Sequence, residues 1–162
     1  MLNLVIWQEK NIYRNAWGIS LTDKFWTVKN LSEFNETEWE QVCCKCGLCC
    51  LVKVQDEEDD DVYYTRVVCH LFDKETRLCK EYKNRCALVQ ECLKVTPDNI
   101  DKLTWMPKKC AYRILYETGD LPEWHPLKKM NKNLPKLPKD LVADNLVDDN
   151  ILEDYIIEDD EF

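Results

Sequence analysis

Glycine and serine are scarce in this chain of 162 residues, and their scarcity excludes several kinds of active site. The three glycines are Gly18, Gly47 and Gly119, so the chain has neither a glycine-rich phosphate-binding loop nor a dinucleotide-binding fingerprint. The only serines, Ser20 and Ser32, do not lie in a GxSxG motif, which disfavours a serine hydrolase. These absences favour a binding protein over an enzyme, and no catalytic residue is assigned.

Long hydrophobic runs are also missing. No window approaches the roughly 20 apolar residues that a membrane-spanning helix requires. The first apolar stretch, Leu4–Trp7, is short and follows no Lys or Arg, so the start of the chain does not resemble a secretory signal. We therefore expect a cytoplasmic protein without membrane contact. Its thiols should stay reduced unless they bind metal or carry out redox chemistry.

Positive charge is in deficit, with a formal net charge of -9, but the deficit is uneven along the chain. Residues 131–162 hold ten acidic residues and three lysines, which leaves a net charge of only -2 for residues 1–130. Six of the acids in residues 1–130 lie in one run, Asp56–Asp61. The other residues of this part are therefore mildly basic. The overall acidity argues against binding to nucleic acid, which requires clustered Lys and Arg.

The acidic C-terminal region has a short repeat. It follows a proline-containing stretch, Leu134–Pro138, and repeats an aspartate every five residues, each time after an apolar pair. The repeated positions are Asp144, Asp149, Asp154 and Asp159. A period of five matches neither a helix nor a strand, so the sequence predicts a disordered tail. The alternatives are a docking strip for a protein partner and a cover over the domain's own basic surface.

These boundaries predict three parts: an N-terminal extension (1–24), a central domain (25–130) and the acidic tail (131–162). The central domain is expected to be α+β. Its predicted elements are a helix capped by Asn35 and Glu38, a hairpin of Leu51–Gln55 and Val62–Val68, a helix from Thr96 to Leu103 or Trp105, and a helix from Lys108 to Thr118 ended by Gly119. The segment Leu121–Leu127 should be extended and ordered.

Cysteine is abundant, with ten residues, and five of them fall within the eight residues Cys43–Cys50. A CxxC spacing lets two thiolates bind one ion from a single tight turn, and Gly47 permits the left-handed backbone such a turn needs. Buried thiols or disulfides are the alternative, but five cysteines so close together make a poor core. The run therefore favours a thiolate-bound metal, either zinc or iron.

Three segments resemble a known family: WEQVCCKCGLCC, VYYTRVVC and CAYRILYETGDLPEWHPL. They are similar to the YcgN branch of the CxxCxxCC (YkgJ-like) cysteine-cluster proteins, described as zinc- or iron-chelating. The resemblance runs from about Phe25 to Leu127. It implies eight metal-binding cysteines: Cys43, Cys46, Cys49, Cys50, Cys69, Cys79, Cys92 and Cys110. Cys44 and Cys86 lie outside that pattern, and Arg77 occupies a position where this branch has a further cysteine.

Eight thiolates suffice for two four-cysteine zinc sites, or for one iron–sulfur cluster with others to spare, and the spacing does not choose between them. The function indicated is metal binding, with a structural or metal-handling role. The alternatives are an iron–sulfur redox or accessory protein, and an interaction module in which metal only holds the scaffold together.

The two histidines are weaker candidates. His70, next to Cys69 at a strand end, is predicted to lie at the surface or to support a ligand. His125 is predicted to pack and hydrogen-bond within the closing segment, with a ligand role as the alternative.

Overall fold

The computed structural model describes residues 24–56, 61–128 and 133–158. It confirms a small α+β fold, with one three-stranded sheet, one two-stranded sheet and short helices. The α-helices are α1 (Phe25–Val28), α2 (Glu36–Val42), α3 (Arg85–Leu88) and α4 (Ala111–Thr118). The strands are β1 (Leu51–Gln55), β2 (Val62–Val68), β3 (Phe72–Asp73), β4 (Leu78–Cys79) and β5 (Val142–Ala143). Single 3-10 turns cover Leu31–Glu33, Leu48–Cys50, Ile100–Lys102 and Asp144–Leu146, and a longer one covers Asp149–Tyr155.

The predicted hairpin is confirmed. Strands β1 and β2 pair antiparallel with Leu51 opposite Val68 and Gln55 opposite Val62, and the register shifts between Leu51 and Lys53. The Asp56 N–H donates to the Asp61 carbonyl over 2.9 Å, which brings the two ends of the acidic run together. The middle of that run, residues 57–60, lies outside the described residues, as do residues 1–23 of the predicted N-terminal extension.

The acidic segment, defined here as residues 133–158, lies against β2. Strand β5 pairs parallel with β2, with Val68 opposite Ala143, and Thr65 forms a bridge with Ile156. The Ile157 N–H donates to the Tyr64 carbonyl over 2.9 Å, and the Ile157 side chain is only 5% exposed. The regular structure of the segment is limited to the two-residue strand β5 and 3-10 turns, and the disordered tail stays a prediction. The period forbids one continuous apolar face, but separate short contacts with an existing strand do not need one.

The hydrophobic core lies between α2 and α4. Trp39 of α2 and Tyr112 of α4 stack with ring centroids 4.6 Å apart, and the Trp39 indole N–H donates to the Val95 carbonyl. Phe25 and Phe34 add an edge-to-face contact at 5.2 Å. Aromatic burial follows the sequence-based expectation at Tyr112, but Tyr116 on the outer face of α4 is 48% exposed.

The predicted helices differ in how well they form. The capping box of α2 is present: the Glu38 N–H donates to Asn35 Oδ1, and the Asn35 N–H donates to the Glu38 carboxylate. In contrast, the predicted helix after Thr96 is only the turn Ile100–Lys102. The Asn99 side chain accepts from the Thr96 N–H and donates to the Lys94 carbonyl, so the start of the segment is capped although no helix continues from it.

Helix α4 begins at Ala111, three residues later than the sequence suggested, and ends at Gly119, whose φ is 75°. Arg113 of α4 pairs with Glu117 and donates to the Met106 carbonyl, so it has a structural role. In the ranges that the structure describes, no helix has both the length and the hydropathy needed to cross a bilayer.

Candidate metal centre

The cysteine run is a pair of tight turns. Helix α2 ends at Val42, Cys43 is extended, and the left-handed residues Lys45 and Gly47 turn the chain before the 3-10 turn Leu48–Cys50. Cys46, Cys49 and Cys50 therefore do not share one face of an α-helix. A Cβ on Gly47 would lie 2.4 Å from Phe72 Cζ, so glycine is required by close packing as well as by its φ of +82°.

Backbone amides point at several of the sulfurs. The Cys43 and Cys46 sulfurs each accept a hydrogen bond from the amide two residues ahead, those of Lys45 and Leu48. Outside the run, Cys69 accepts from the amides of Leu71 and Phe72, and Cys110 accepts from those of Tyr112 and Arg113. Amides directed at sulfur stabilise thiolates and are typical of cysteine ligands held in tight turns.

Two further hydrogen bonds join neighbouring thiols within the run. The Cys44 thiol donates to Cys46, which lowers the pKa of Cys46, and the positive charge of Arg77 acts in the same direction. The Cys50 thiol donates to Cys49 and lowers the pKa of Cys49 to about 7, with help from the Lys53 ammonium group. Cys46 and Cys49 are therefore the thiols best prepared to act as metal ligands.

The eight cysteines of the pattern divide into two neighbourhoods. The core-side group consists of Cys43, Cys46, Cys49 and Cys110. Burial raises the pKa of Cys43 and of Cys110 to about 12, and the sulfurs of Cys46 and Cys49 contribute to both shifts. Cys46 and Cys110 are buried in the hydrophobic core. Cys110 at the start of α4 is thus an electrostatic neighbour of the sulfurs in the turn after α2, up to 67 residues away in the sequence, although no three of these four sulfurs lie within 4.8 Å of one another.

The cleft-side group consists of Cys50, Cys69, Cys79 and Cys92. All four line an open cleft of about 2080 Å³, which Cys43 and Cys49 of the core-side group also reach, and none of the four is fully buried. Burial raises the pKa of Cys69, and the nearby Cys79 sulfur contributes to that shift. Burial also raises the pKa of Cys92 to about 11, with a smaller contribution from Cys69. Cys69 is therefore the residue that links the members of this group.

The two cysteines outside the family pattern are placed beside pattern cysteines. Cys44 is buried and donates to Cys46, and Cys86 is exposed and shares a hydrogen bond with Cys92.

Sequence reasoning also missed Lys53 and Arg77 as sources of positive charge. Arg77 has a left-handed backbone and donates from Nη1 to the Pro135 carbonyl, which directs its guanidinium toward the acidic segment. Arg77 lacks a local sequence signal for its role because its partners are distant in the chain, whereas Lys53 follows Cys49 by only four residues.

His125 is a structural residue. It is 1% exposed, its Nε2 donates to the Val42 carbonyl over 3.0 Å, and its Nδ1 accepts from the Leu127 N–H over 3.1 Å. Both ring nitrogens are therefore occupied in the neutral form, and burial lowers the pKa of His125 to about 4. The prediction that His125 packs and hydrogen-bonds in the closing segment is confirmed.

A more compact group of potential ligands lies at the end of β2. The ligand atoms of Cys69, His70 and Asp144 all lie within 4.8 Å of one another. His70 Nδ1 is 2.8 Å from Asp144 Oδ1, and the His70 N–H donates to the same oxygen over 2.9 Å. His70 is partly exposed at a strand end, which agrees with the sequence-based expectation.

The donor set fits zinc or iron. Thiolates are the ligands that zinc and iron–sulfur clusters prefer, and the amide-to-sulfur hydrogen bonds supply the second layer that such sites require. The individual ligand assignments of the eight cysteines stay predictions. The four sulfurs of the core-side group would hold an ion that ties the turn after α2 to the start of α4.

Comparison with known proteins agrees with this donor set. The CxxCxxCC family, described as a "Putative zinc- or iron-chelating domain", matches residues 42–111. A UPF0260 protein of Vibrio atlanticus is 50% identical over 107 residues, which cover 66% of this chain and 74% of the relative. A UPF0260 protein of Caulobacter vibrioides is 52% identical over 103 residues, 64% of each chain. One from Azotobacter vinelandii is 50% identical over 105 residues, 65% of this chain and 70% of the relative.

No solved structure matches the chain. Identity of about one half over most of a relative's length is sufficient to assign a family, and the matched region contains every cysteine of the chain. The chain therefore belongs to the UPF0260 family and carries its CxxCxxCC zinc- or iron-chelating domain.

Proposed function

We propose that this protein binds zinc or iron through cysteine thiolates, and that the core-side group holds the principal ion. The observation that carries the proposal is the run of Cys43, Cys46 and Cys49 in one pair of tight turns, with Cys110 as an electrostatic neighbour from a distant segment. Three of these four sulfurs accept backbone amides from residues that follow them. Four thiolates in one neighbourhood are the donor set of a structural zinc site.

Burial favours a structural role for this ion. Cys46 and Cys110 are 7% and 8% exposed, so part of the ligand set is enclosed by the hydrophobic core. A four-thiolate site without an open position holds its metal as part of the fold. Because the ligands come from both sides of the core, the free energy of metal binding would also be free energy of folding.

The cleft-side group favours a second role, in metal handling. Its four sulfurs line an open cleft, where an ion can enter and leave without unfolding the core. Exchangeable ions require such access, whereas structural ions do not. We therefore propose a domain with one structural ion and a second, accessible metal-binding region.

The test is purification of the full chain without oxygen, followed by elemental analysis and thermal unfolding. Cys46→Ser should lose the core-side ion and unfold at a much lower temperature. Cys86→Ser is the matched control, because Cys86 is exposed and lies outside the pattern, and it should keep the metal content of the parent protein. A parent protein that stays folded with no bound metal would exclude the proposal.

An iron–sulfur cluster is the second candidate. The amides directed at sulfur suit an iron–sulfur cluster as well. Hydrogen bonds to the sulfurs, together with solvent exposure, set the reduction potential of such a cluster. The visible spectrum of the same preparation separates the candidates. A brown protein that bleaches in air supports an iron–sulfur redox or accessory role, and a colourless protein with stoichiometric zinc excludes it as the native state.

A further inference from the structure

We infer that Cys69, His70 and Asp144 form a mixed sulfur, nitrogen and oxygen site for a zinc-class divalent cation, and that this ion fastens the acidic segment to the sheet. Among the residues that the structure describes, no other group of three or more Cys, His, Asp or Glu ligand atoms lies within 4.8 Å. The inference rests on the proposed function only through Cys69, which belongs to the cleft-side group. His70 and Asp144 are additional to the cysteine pattern.

Parallel strand pairing brings the three residues together. Val68 of β2 lies opposite Ala143 of β5, so the residues that follow both strands emerge at the same edge of the sheet. Cys69 and His70 follow β2, and Asp144 follows β5. The His70 N–H also donates to Asp144 Oδ1, so the carboxylate is held by the backbone as well as by the imidazole.

The separations suit a tetrahedral ion. Ligand bonds of roughly 2.0 to 2.3 Å place the ligand atoms of such an ion about 3.3 to 3.8 Å apart. The three ligand atoms here lie within 4.8 Å of one another, so small side-chain rotations bring them to these distances. His70 Nδ1 and Asp144 Oδ1 are 2.8 Å apart, so an ion bound by both atoms would replace their hydrogen bond and move them slightly apart.

The site is accessible, as an exchangeable ion requires. The side chains of His70 and Asp144 are 39% and 28% exposed, and both residues line the cleft with Cys69. Three protein ligands leave the fourth position of a tetrahedral ion for water or for a further thiol. Cys50 is the candidate for that thiol, because its sulfur is an electrostatic neighbour of Cys69.

Binding of the ion links two parts of the chain that are 74 residues apart. Without the ion, the acidic segment is attached beside β2 by two paired residues of β5, a bridge and single hydrogen bonds. A metal bond at Asp144 adds an anchor at the start of the acidic repeat. Metal binding should therefore slow proteolytic cleavage within residues 141–157.

The experiment is a Co²⁺ titration of the reduced, full-length protein under argon, followed by its thiolate absorption. His70→Gln and Asp144→Asn keep all ten cysteines, and each should bind one Co²⁺ at least tenfold more weakly than the parent protein. Asp154→Asn is the matched control, because Asp154 occupies the same position of the five-residue repeat but is exposed. It should bind Co²⁺ as the parent does.

A second readout needs no variant. In the parent protein, bound Co²⁺ should shift the ring NMR resonances of His70 strongly and leave those of the buried His125 much less affected. Unchanged Co²⁺ affinity in both His70→Gln and Asp144→Asn, with no shift of the His70 resonances, would overturn the inference.

Failure of this inference is distinguishable from failure of the proposed function. If Cys46→Ser loses the core-side ion while His70→Gln and Asp144→Asn bind normally, the proposed function stands and the mixed site is rejected. If Cys46→Ser keeps its full metal content while the other two variants lose one ion, the core-side proposal is rejected and the mixed site is supported.

Discussion

The two cysteine groups differ in what surrounds them, although they have the same number of thiols. The core-side group includes two buried sulfurs and is framed by α2 and α4. The cleft-side group is formed by short strands and turns around an open cleft, next to the acidic segment. One chain can therefore hold one ion as part of its core and another at its surface. The surroundings, more than the ligand type, separate a structural site from an exchangeable one.

Removal of metal should produce the largest effect, and it should occur in two stages. A competing chelator should take the cleft-side ion at least ten times faster than the core-side ion, because Cys46 and Cys110 of the core-side group are buried. Loss of the core-side ion should unfold the domain, since structural zinc contributes on the order of 10 kcal/mol to folding. A chromogenic chelator with parallel circular dichroism measures both stages. Release in a single phase would contradict the distinction between the groups.

Gly47→Ala should damage the core-side turn. A left-handed backbone costs a non-glycine residue ~1–2 kcal/mol, and forcing a Cβ against Phe72 adds the ~1–3 kcal/mol of an overpacked core. We expect the free energy of unfolding to fall by about 4 kcal/mol, measured by urea denaturation.

Gly119→Ala is the control for Gly47→Ala. Gly119 has a similar φ of +75°, but a Cβ there meets nothing within 4 Å. The control should lose only about 1 kcal/mol, from the backbone term. Equal losses of unfolding free energy in both variants would show that the contact with Phe72 does not destabilise the Gly47→Ala variant.

His125 should make the core side sensitive to acid. Its pKa is about 4 in the folded protein, below its ordinary value of about 6.5, because burial disfavours the charged imidazole. Above pH 6.5 both folded and unfolded states hold the neutral ring, so titration contributes nothing. Between pH 6.5 and 4 only the unfolded state takes up a proton, which lowers the free energy of unfolding by about 3 kcal/mol at pH 4.

An NMR titration of the His125 ring checks this directly. The chain has only two histidines, so His70→Gln identifies the His125 resonance. The stability of His125→Gln should fall less steeply over the same pH range than that of the parent protein. An NMR midpoint near pH 6.5 for His125 would contradict its burial as a neutral donor to Val42.

Ile157→Ala tests the anchor of the acidic segment on the cleft side, and it should have the smallest effect of the four. Ile157 is 5% exposed, so truncation removes buried apolar surface and leaves a cavity. We expect a loss of about 2 kcal/mol, at the low end for Ile→Ala, because the segment can detach without opening the main core. Ile151→Ala, 43% exposed, is the control and should lose less than about 0.5 kcal/mol. Equal effects would show that the segment is not anchored through Ile157.

The parts of the fold that depend on local signals were predictable. The capping box at Asn35, the paired runs of the hairpin and the glycine that ends α4 all act through residues within a few positions of one another. The predicted helix after Thr96 is only the turn Ile100–Lys102, although Asn99 caps its start. A capping signal marks where a helix can begin, but not how far it continues.

The candidate site was predictable in composition but not in arrangement. The spacing of Cys43, Cys46 and Cys49 by itself indicated thiolate ligation. The spacing did not show that Cys110 belongs with these cysteines or that Cys69 belongs to a separate group. The packing of α4 places Cys110, and the end of β2 places Cys69. His70 and Asp144 meet through parallel strand pairing across 74 residues, a contact for which the chain offers no local pattern.

The sequence by itself determined the chemistry of this protein: a cysteine-rich domain with few glycines and serines, whose donor atoms suit zinc or iron. Tertiary structure decided how those donors are grouped, which of them are enclosed, and where the acidic segment lies. The physical reason is that ligand type is a property of individual side chains, whereas coordination and access depend on distances between residues far apart in the chain. Those distances exist only after the core has packed.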